Sequence, residues 1–354
     1  MDTPVTAQNR RIARWLLVLC ALVFSMVVLG GVTRLTGSGL SMADWRPIMG
    51  VLPPLEEADW ERAFDLYRET PEFRQVNAHM DVHAFKGIFW LEYLHRLLGR
   101  LIGVVFILPF GYFLWKGYIG RRDWPRYGVM FLLGGLQGLL GWYMVASGLV
   151  DDPRVSQYRL TAHLISAFAI YAWMFWVALS LLHGPAPGPH HPWFGRTRAL
   201  LALVIVTVLS GGFVAGLDAG LIYNTFPMMG RYWIPPDVLA LDPWWVNLFE
   251  NMATAQFDHR VLATAAFCAI VAYWIFARQA FQRPRLRKGV NLILFFALLQ
   301  VTLGISTLLL RVPIPLAAAH QAVALALFTV ALYLCHGSRY ADAAGGAGGR
   351  AGPL

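Results

Sequence analysis

Residues 84–115 read AFKGIFWLEYLHRLLGRLIGVVFILPFGYFLW. A helix crosses a bilayer with ~20 mainly apolar residues. This stretch is longer, so it predicts a spanning helix that tilts or protrudes. Within it stand Glu92, His95, Arg96 and Arg100. An ionisable residue inside a span is costly and marks function by default.

Further apolar runs lie near 15–33, 127–147, 158–183, 199–217, 251–277, 289–310 and 315–336. The expected fold is an all-α integral membrane protein with eight transmembrane helices. Composition agrees: of 354 residues, 57% are hydrophobic and 14% charged, against ~25% charged in soluble domains. Mean hydropathy is +0.52. Arg10, Arg11 and Arg14 before the first run mimic a signal peptide. That run is long enough to span, however, and no small-residue cleavage site follows, so it reads as a retained helix. Cys20, Cys268 and Cys335 form no CxxC pair; buried packing is the reading for all three.

The net charge of +9 is not a nucleic-acid signal, because the basic residues sit in short loops between apolar runs. There they set orientation. One set of loops holds Arg10, Arg11, Arg14, Lys116, Arg121, Arg122, Arg126, Arg196, Arg198, Arg283, Arg285, Arg287 and Lys288. The opposite set is poor in them beyond the loop 34–83, where acidic residues from Asp44 to Asp81 offset the charge. Both termini are therefore expected in the cytoplasm. The tail after Tyr340 reads as disordered.

The chain repeats itself. Gly30-Gly31 followed by VTRLTGSGLSMADWRPIMG matches Gly211-Gly212 followed by FVAGLDAGLIYNTFPMMG. EYLHRLLG around His95 matches QFDHRVLA around His259, QGLLG (137–141) matches QVTLG (300–304), and RLTAHL with His163 matches LAAAHQ with His320. Order and spacing agree throughout. Each copy has an even number of helices, so both face the same way. The expectation is two four-helix-bundle repeats related by a pseudo-twofold axis along the membrane normal. The chain then divides into a cytoplasmic N-terminus (1–14), a first repeat (15–183), a cytoplasmic linker (184–198), a second repeat (199–336) and a cytoplasmic tail (337–354).

Of ten histidines, His79, His83, His183, His190, His191 and His336 fall in loops or at helix ends and read as solvated. His95, His163, His259 and His320 fall in the outer parts of spans, two per repeat at equivalent positions. One such histidine alone is as well explained by a hydrogen bond across helices; four at one depth are not. Zinc usually recruits a third protein ligand, and copper takes methionine or cysteine. No such residue recurs. Heme needs only axial ligands, and a four-helix bundle accommodates it. One heme per repeat is the expectation. Arg96 and Arg260 follow the ligands and suit heme propionates; the alternative is snorkelling or bonding to backbone carbonyls.

The repeats differ at one telling place. Glu92 stands three residues before His95, and Gln256 three before His259. Residues three apart share a helix face, so Glu92 points toward whatever His95 binds. It is a candidate general base or charge stabiliser; the alternative is a salt bridge to Arg96 or Arg100.

Taken as a set, GGVTRLTGSGLSM, EYLHR, AHL, FDHR, AHQ and NTFPMM resemble the heme A synthase family, from Gly30 to about Ala322. The resemblance implies oxidation of the C8 methyl of heme O to a formyl group, most simply by two successive hydroxylations, for terminal oxidase assembly. It implies Glu92 as the catalytic carboxylate, His95 and His163 as ligands of the substrate heme, and His259 and His320 as ligands of a heme B cofactor. It implies a heme O synthase as donor of heme O and a place in the bacterial inner membrane among lipid. It names no electron acceptor, and a homo-oligomer is compatible with it. Some members carry cysteine pairs in outer loops; this chain lacks them, as in the proteobacterial and mitochondrial branch. The competing readings are a di-heme electron carrier resembling a membrane cytochrome b, and a heme transporter or chaperone.

Overall fold

A computed structural model describes residues 6–42, 52–149, 153–184 and 190–339. They form α1 (Ala7–Leu35), α2 (Glu57–Arg68), α3 (Pro71–Gln75), α4 (Val82–Trp115), α5 (Trp124–Ala146), α6 (Gln157–His183), α7 (Phe194–Gly216), α8 (Asn247–Glu250), α9 (Met252–Ala280), α10 (Pro284–Leu309) and α11 (Ile314–Ser338). Eight of these are long and apolar enough to cross a membrane. Large apolar side chains such as Leu108, Leu132 and Phe276 stand exposed on their outer surfaces, which only an apolar surrounding tolerates at this density. The chain is an all-helical, multi-pass membrane protein.

Helix ends reach beyond the apolar runs. α1 begins at Ala7, not near Trp15, because the Thr6 hydroxyl accepts from the Asn9 amide and caps it. Arg10, Arg11 and Arg14 thus lie on its first turns. Likewise α7 begins at Phe194 and takes in Arg196 and Arg198. The tail after Tyr340 lies outside the described residues.

α1, α6, α7 and α11 form the centre: α1 packs on α6 and α11, and α7 packs on the same two helices. α4 and α5 flank one side; α9 and α10 flank the other. Lipid chains are as apolar as leucine, so such contacts depend on close packing. Glycine supplies it. Gly212 on α7 lies against Thr161 on α6, and Gly31 on α1 lies against Gln321 on α11. Gln321 Nε2 then donates to the Val27 carbonyl at 2.9 Å. In the core, Pro109 interrupts α4 and leaves the Val105 carbonyl without its helical donor. Trp15 Nε1 fills that gap at 2.8 Å.

The first turns of α4 carry a cap. Trp60 and Tyr67 of α2 pack on Phe89 and Phe85, with ring centroids 5.0 and 5.1 Å apart. Beneath them Tyr67 donates to the buried Glu72 carboxylate at 3.1 Å, and burial pushes that carboxyl up to about 7. The length of α4 is thereby explained: it spans and also supports the cap.

Two surface readings change. His336 and His191 are buried, not solvated. His336 lies 3.0 Å from the Ser180 hydroxyl, and His191 stacks on Phe281 at 4.6 Å; both help close the end of the bundle that carries the termini. Conversely, Cys268 is exposed on α9, while Cys20 and Cys335 are buried as expected.

Candidate functional site

Each of the four span histidines is pressed against a glycine of a neighbouring helix. A methyl group at Gly30 would sit 2.8 Å from His95 Cε1, and one at Gly141 would sit 3.0 Å from His163 Cε1. The corresponding distances are 3.1 Å from Gly211 to His259 and 2.9 Å from Gly304 to His320. Any side chain at these glycines would displace an imidazole. His95 lies within electrostatic range of His163, and His259 of His320. These glycines were visible in the sequence only as markers of the repeat; their supporting role depends on helix neighbours that spacing does not reveal.

Hydrogen bonds set the ring nitrogens differently. The Ser210 hydroxyl donates to the Thr207 carbonyl at 2.8 Å, so it takes the Nδ1–H of His259 at 2.9 Å. Nε2 of His259 is left with a free lone pair, the tautomer a metal requires. Nδ1 of His95 and of His320 is buried with no hydrogen-bond partner among the described residues. Gln137 Nε2 lies 3.1 Å from His163 Nδ1, and Gln300 Nε2 lies 3.2 Å from His320 Nε2. No group of three or more potential metal-ligating side chains occurs among the described residues.

Glu92 is 3% exposed and fully engaged. Its Oε2 accepts from the Ser41 hydroxyl at 2.7 Å and the Met42 amide at 2.8 Å. Its Oε1 accepts from Arg96 Nη2 at 2.5 Å. Arg96 also donates to the Met42 carbonyl at 3.0 Å. The salt-bridge reading of this residue is realised: Glu92 pairs with Arg96, and its other oxygen is turned to Ser41 and Met42.

In the second half Gln256 is equally buried. Its Nε2 donates to the Tyr223 carbonyl at 3.2 Å. Arg260 donates to the carbonyls of Tyr223, Thr225 and Met228 at 2.8, 2.9 and 3.3 Å. The backbone alternative for the two arginines is therefore realised: each ties α4 or α9 to a loop segment packed on it. Ser41 and Met42, which hold Glu92, stand in the sequence reading only as the end of the GGVTRLTGSGLSM motif, because the path of the loop decides what reaches a buried carboxylate.

Comparison with known proteins completes the description. The family model described as cytochrome oxidase assembly protein (COX15-CtaA) matches residues 13–332. The heme A synthase of Nitrosospira multiformis is 53% identical, over 93% of this chain and 94% of that protein. The heme A synthase of Paramagnetospirillum magneticum is 51% identical over the same shares. Human heme A synthase COX15 is 46% identical over 94% of this chain and 84% of the relative.

Proposed function

The chain belongs to the COX15-CtaA family of cytochrome oxidase assembly proteins and has its heme A synthase function, and on that premise we propose how its two histidine pairs divide the work. The first half, with His95, His163 and Glu92, receives heme O and is where its C8 methyl is oxidised to a formyl group. The second half, with His259 and His320, holds heme B. The observation that carries this division is Glu92 against Gln256: two buried positions with matching arginine clamps, of which only the first can ionise.

The residues of the second half fit a heme. Ser210 engages Nδ1 of His259 and so leaves Nε2 for a metal, Nδ1 of His320 is buried with no hydrogen-bond partner among the described residues, and Gly211 and Gly304 let both rings pack close against α7 and α10. Bound heme B supplies one-electron transfers. In the first half the chain orients the substrate through His95 and His163. Glu92 accepts the proton released at the oxidised carbon; its oxygens are fixed for that by Ser41, Met42 and Arg96. A membrane heme O synthase is the natural donor of the substrate.

The halves are read as two four-helix repeats, α1 and α4–α6 against α7 and α9–α11, about an axis along the membrane normal. Supporting this, the glycine–histidine pairs recur in the same order. Gly37 and Asp218, equivalent in the repeat alignment, both take positive φ, 63° and 53°. With basic residues at the end carrying the termini, we place both termini in the cytoplasm and the protein in the bacterial inner membrane. A cysteine introduced at Gly120, between α4 and α5, is expected to react only with reagents that have entered the cell; labelling from outside would reverse the orientation.

The support role of the glycines is tested directly. Gly304→Val is expected to displace His320 and to weaken heme B retention about 10–100-fold, with the helix content unchanged by circular dichroism. Normal heme B would remove that role. The function itself is tested by extracting and separating the hemes of the purified protein. Heme B together with heme O or heme A is expected; a fixed complement of heme B at both pairs would instead identify a di-heme carrier.

A further inference from the structure

Between α7 and α9 the chain runs without a spanning helix through residues 217–251, and its surface there is largely apolar. Phe226, Tyr232, Trp233, Ile234, Trp244 and Trp245 are all exposed, Trp233 70% and Trp244 66%. From Ile222 to Phe249 the only charged side chains are Arg231, Asp237 and Asp242, and the Tyr223 hydroxyl donates to Asp237 at 2.7 Å. The segment between α1 and α4 is built the other way. It turns Trp60 and Tyr67 inward onto α4, and α2 carries Glu57, Asp59, Glu61, Arg62 and Asp65. Apolar side chains exposed at the density seen after α7 mark a contact with a membrane or with another protein.

The position of the segment decides between them. Arg260 on α9 donates to the carbonyls of Tyr223 and Thr225 at 2.8 and 2.9 Å, and Gln256 donates to that of Tyr223 at 3.2 Å. Asn224 donates to the Leu308 carbonyl in the last turn of α10 at 2.9 Å. Residues 223–228 therefore lie against the ends of two spanning helices. No charged residue separates Arg260 from Arg278, a stretch close to the ~20 residues that cross a hydrocarbon core. Arg260 thus stands at the boundary of the apolar layer, and the segment bonded to it lies against that boundary. Backbone so close to hydrocarbon has little water to bond, and here it is served from inside the protein. The buried Asn247 donates to the carbonyls of Leu241 and Trp244 at 2.7 and 2.9 Å and accepts from the Leu241 amide at 2.9 Å. Asn251 donates to the Asp237 carbonyl at 2.8 Å, and Thr254 accepts from the Leu239 amide at 3.2 Å. Pro227, Pro235, Pro236 and Pro243 have no amide hydrogen to satisfy. A loop in water can leave such groups to the solvent.

We infer that residues 222–248 form an apron immersed in the membrane interface at the histidine end of the bundle, with lipid rather than water against Trp233, Ile234, Trp244 and Trp245. Indole rings favour this layer, because the body of the ring is apolar and its N–H donates a hydrogen bond. The apron gives Arg260 a part independent of any heme: its guanidinium supplies the donors that water would otherwise offer to the carbonyls of Tyr223 and Thr225. A second protein seated on the same surface is the rival occupant; it would shield the rings from lipid as well as from water.

The test uses the full-length protein carrying Cys268→Ser, since Cys268 is exposed while Cys20 and Cys335 are buried. Ile234→Cys and Trp244→Cys are spin-labelled singly. Leu132→Cys, on the exposed face of the spanning helix α5, and Glu61→Cys, on the exposed face of α2, are the references. Each protein is reconstituted in vesicles of phosphatidylethanolamine and phosphatidylglycerol. Collisions of the label with oxygen, which partitions into lipid, are compared with those with a nickel chelate, which stays in water. The oxygen-to-nickel ratio at 234 and 244 is expected nearer the Leu132 value than the Glu61 value. A ratio nearer that of Glu61 overturns the apron as a lipid contact, and few collisions with either reagent overturn it in favour of a covering protein. If the cysteine variants do not fold, the conservative W233F/W244F/W245F chain carries the comparison. Relative to the unsubstituted chain it should lose more of the tryptophan emission quenched by brominated phosphatidylcholine than of that quenched by iodide; the reverse overturns the inference.

Discussion

Glu92→Gln is expected to retain heme B while heme A formation falls by ~10²–10⁴, the usual contribution of a general acid–base group. The fold tolerates the change for reasons visible in the structure. Gln256 already occupies the equivalent position and keeps its own clamp, with Arg260 Nη2 3.4 Å from its Oε1. In the variant the amide oxygen remains available to Arg96, and the Ser41 hydroxyl can turn to accept. The one loss is the Met42 amide, which would face an amide nitrogen, at a cost of about 1–3 kcal/mol. Heme O or a partly oxidised product should accumulate. If Glu92 served only to neutralise Arg96, the outcome would differ. Heme A formation would then change only in proportion to heme content and yield, whatever the loss of the buried charge costs. Heme B per chain and the ratio of heme A to heme O, measured on one sample, separate the cases. Near-normal heme A would exclude the carboxylate from the reaction.

Most of the fold was legible because the bilayer imposes a length and a composition on each span. The eight apolar runs all became helices, and the four histidines fell within them. What the runs do not encode is where a helix stops: backbone hydrogen bonding continues past the apolar core into arginine-bearing turns, whose long side chains reach polar surroundings. Hence α1 starts at Ala7 and α7 at Phe194. Within the outer loop α2 and α3 were not anticipated, because short amphipathic helices give no spanning signal. The Glu92–Arg96 pair was legible as two residues four apart on one helix. The Ser41 and Met42 contacts were not, since they join the start of the outer loop to a helix some fifty residues further along the chain. His336 was taken for solvated because its position at a helix end says nothing of Ser180 and Trp176 packed around it.

The division between the two histidine pairs predicts unequal losses. His259→Ala or His320→Ala would remove a residue proposed to hold heme B, in the half where Ser210 bonds to His259 and a glycine lies behind each ring. Stable heme B should disappear, because the porphyrin then has one protein ligand and a cavity left by the lost imidazole. His95→Ala or His163→Ala acts on the substrate pair. Heme B should stay near one per chain, while bound heme O and heme A drop and turnover fails. Folding is not the discriminator, since all four substitutions remove the same side chain from comparable depths in the bundle. The decisive measurement is extraction and chromatography of the hemes from these four variants, each purified from cells that supply heme O. Heme B lost only from the His259 and His320 variants is the predicted result; equal loss of heme B from all four would contradict the division.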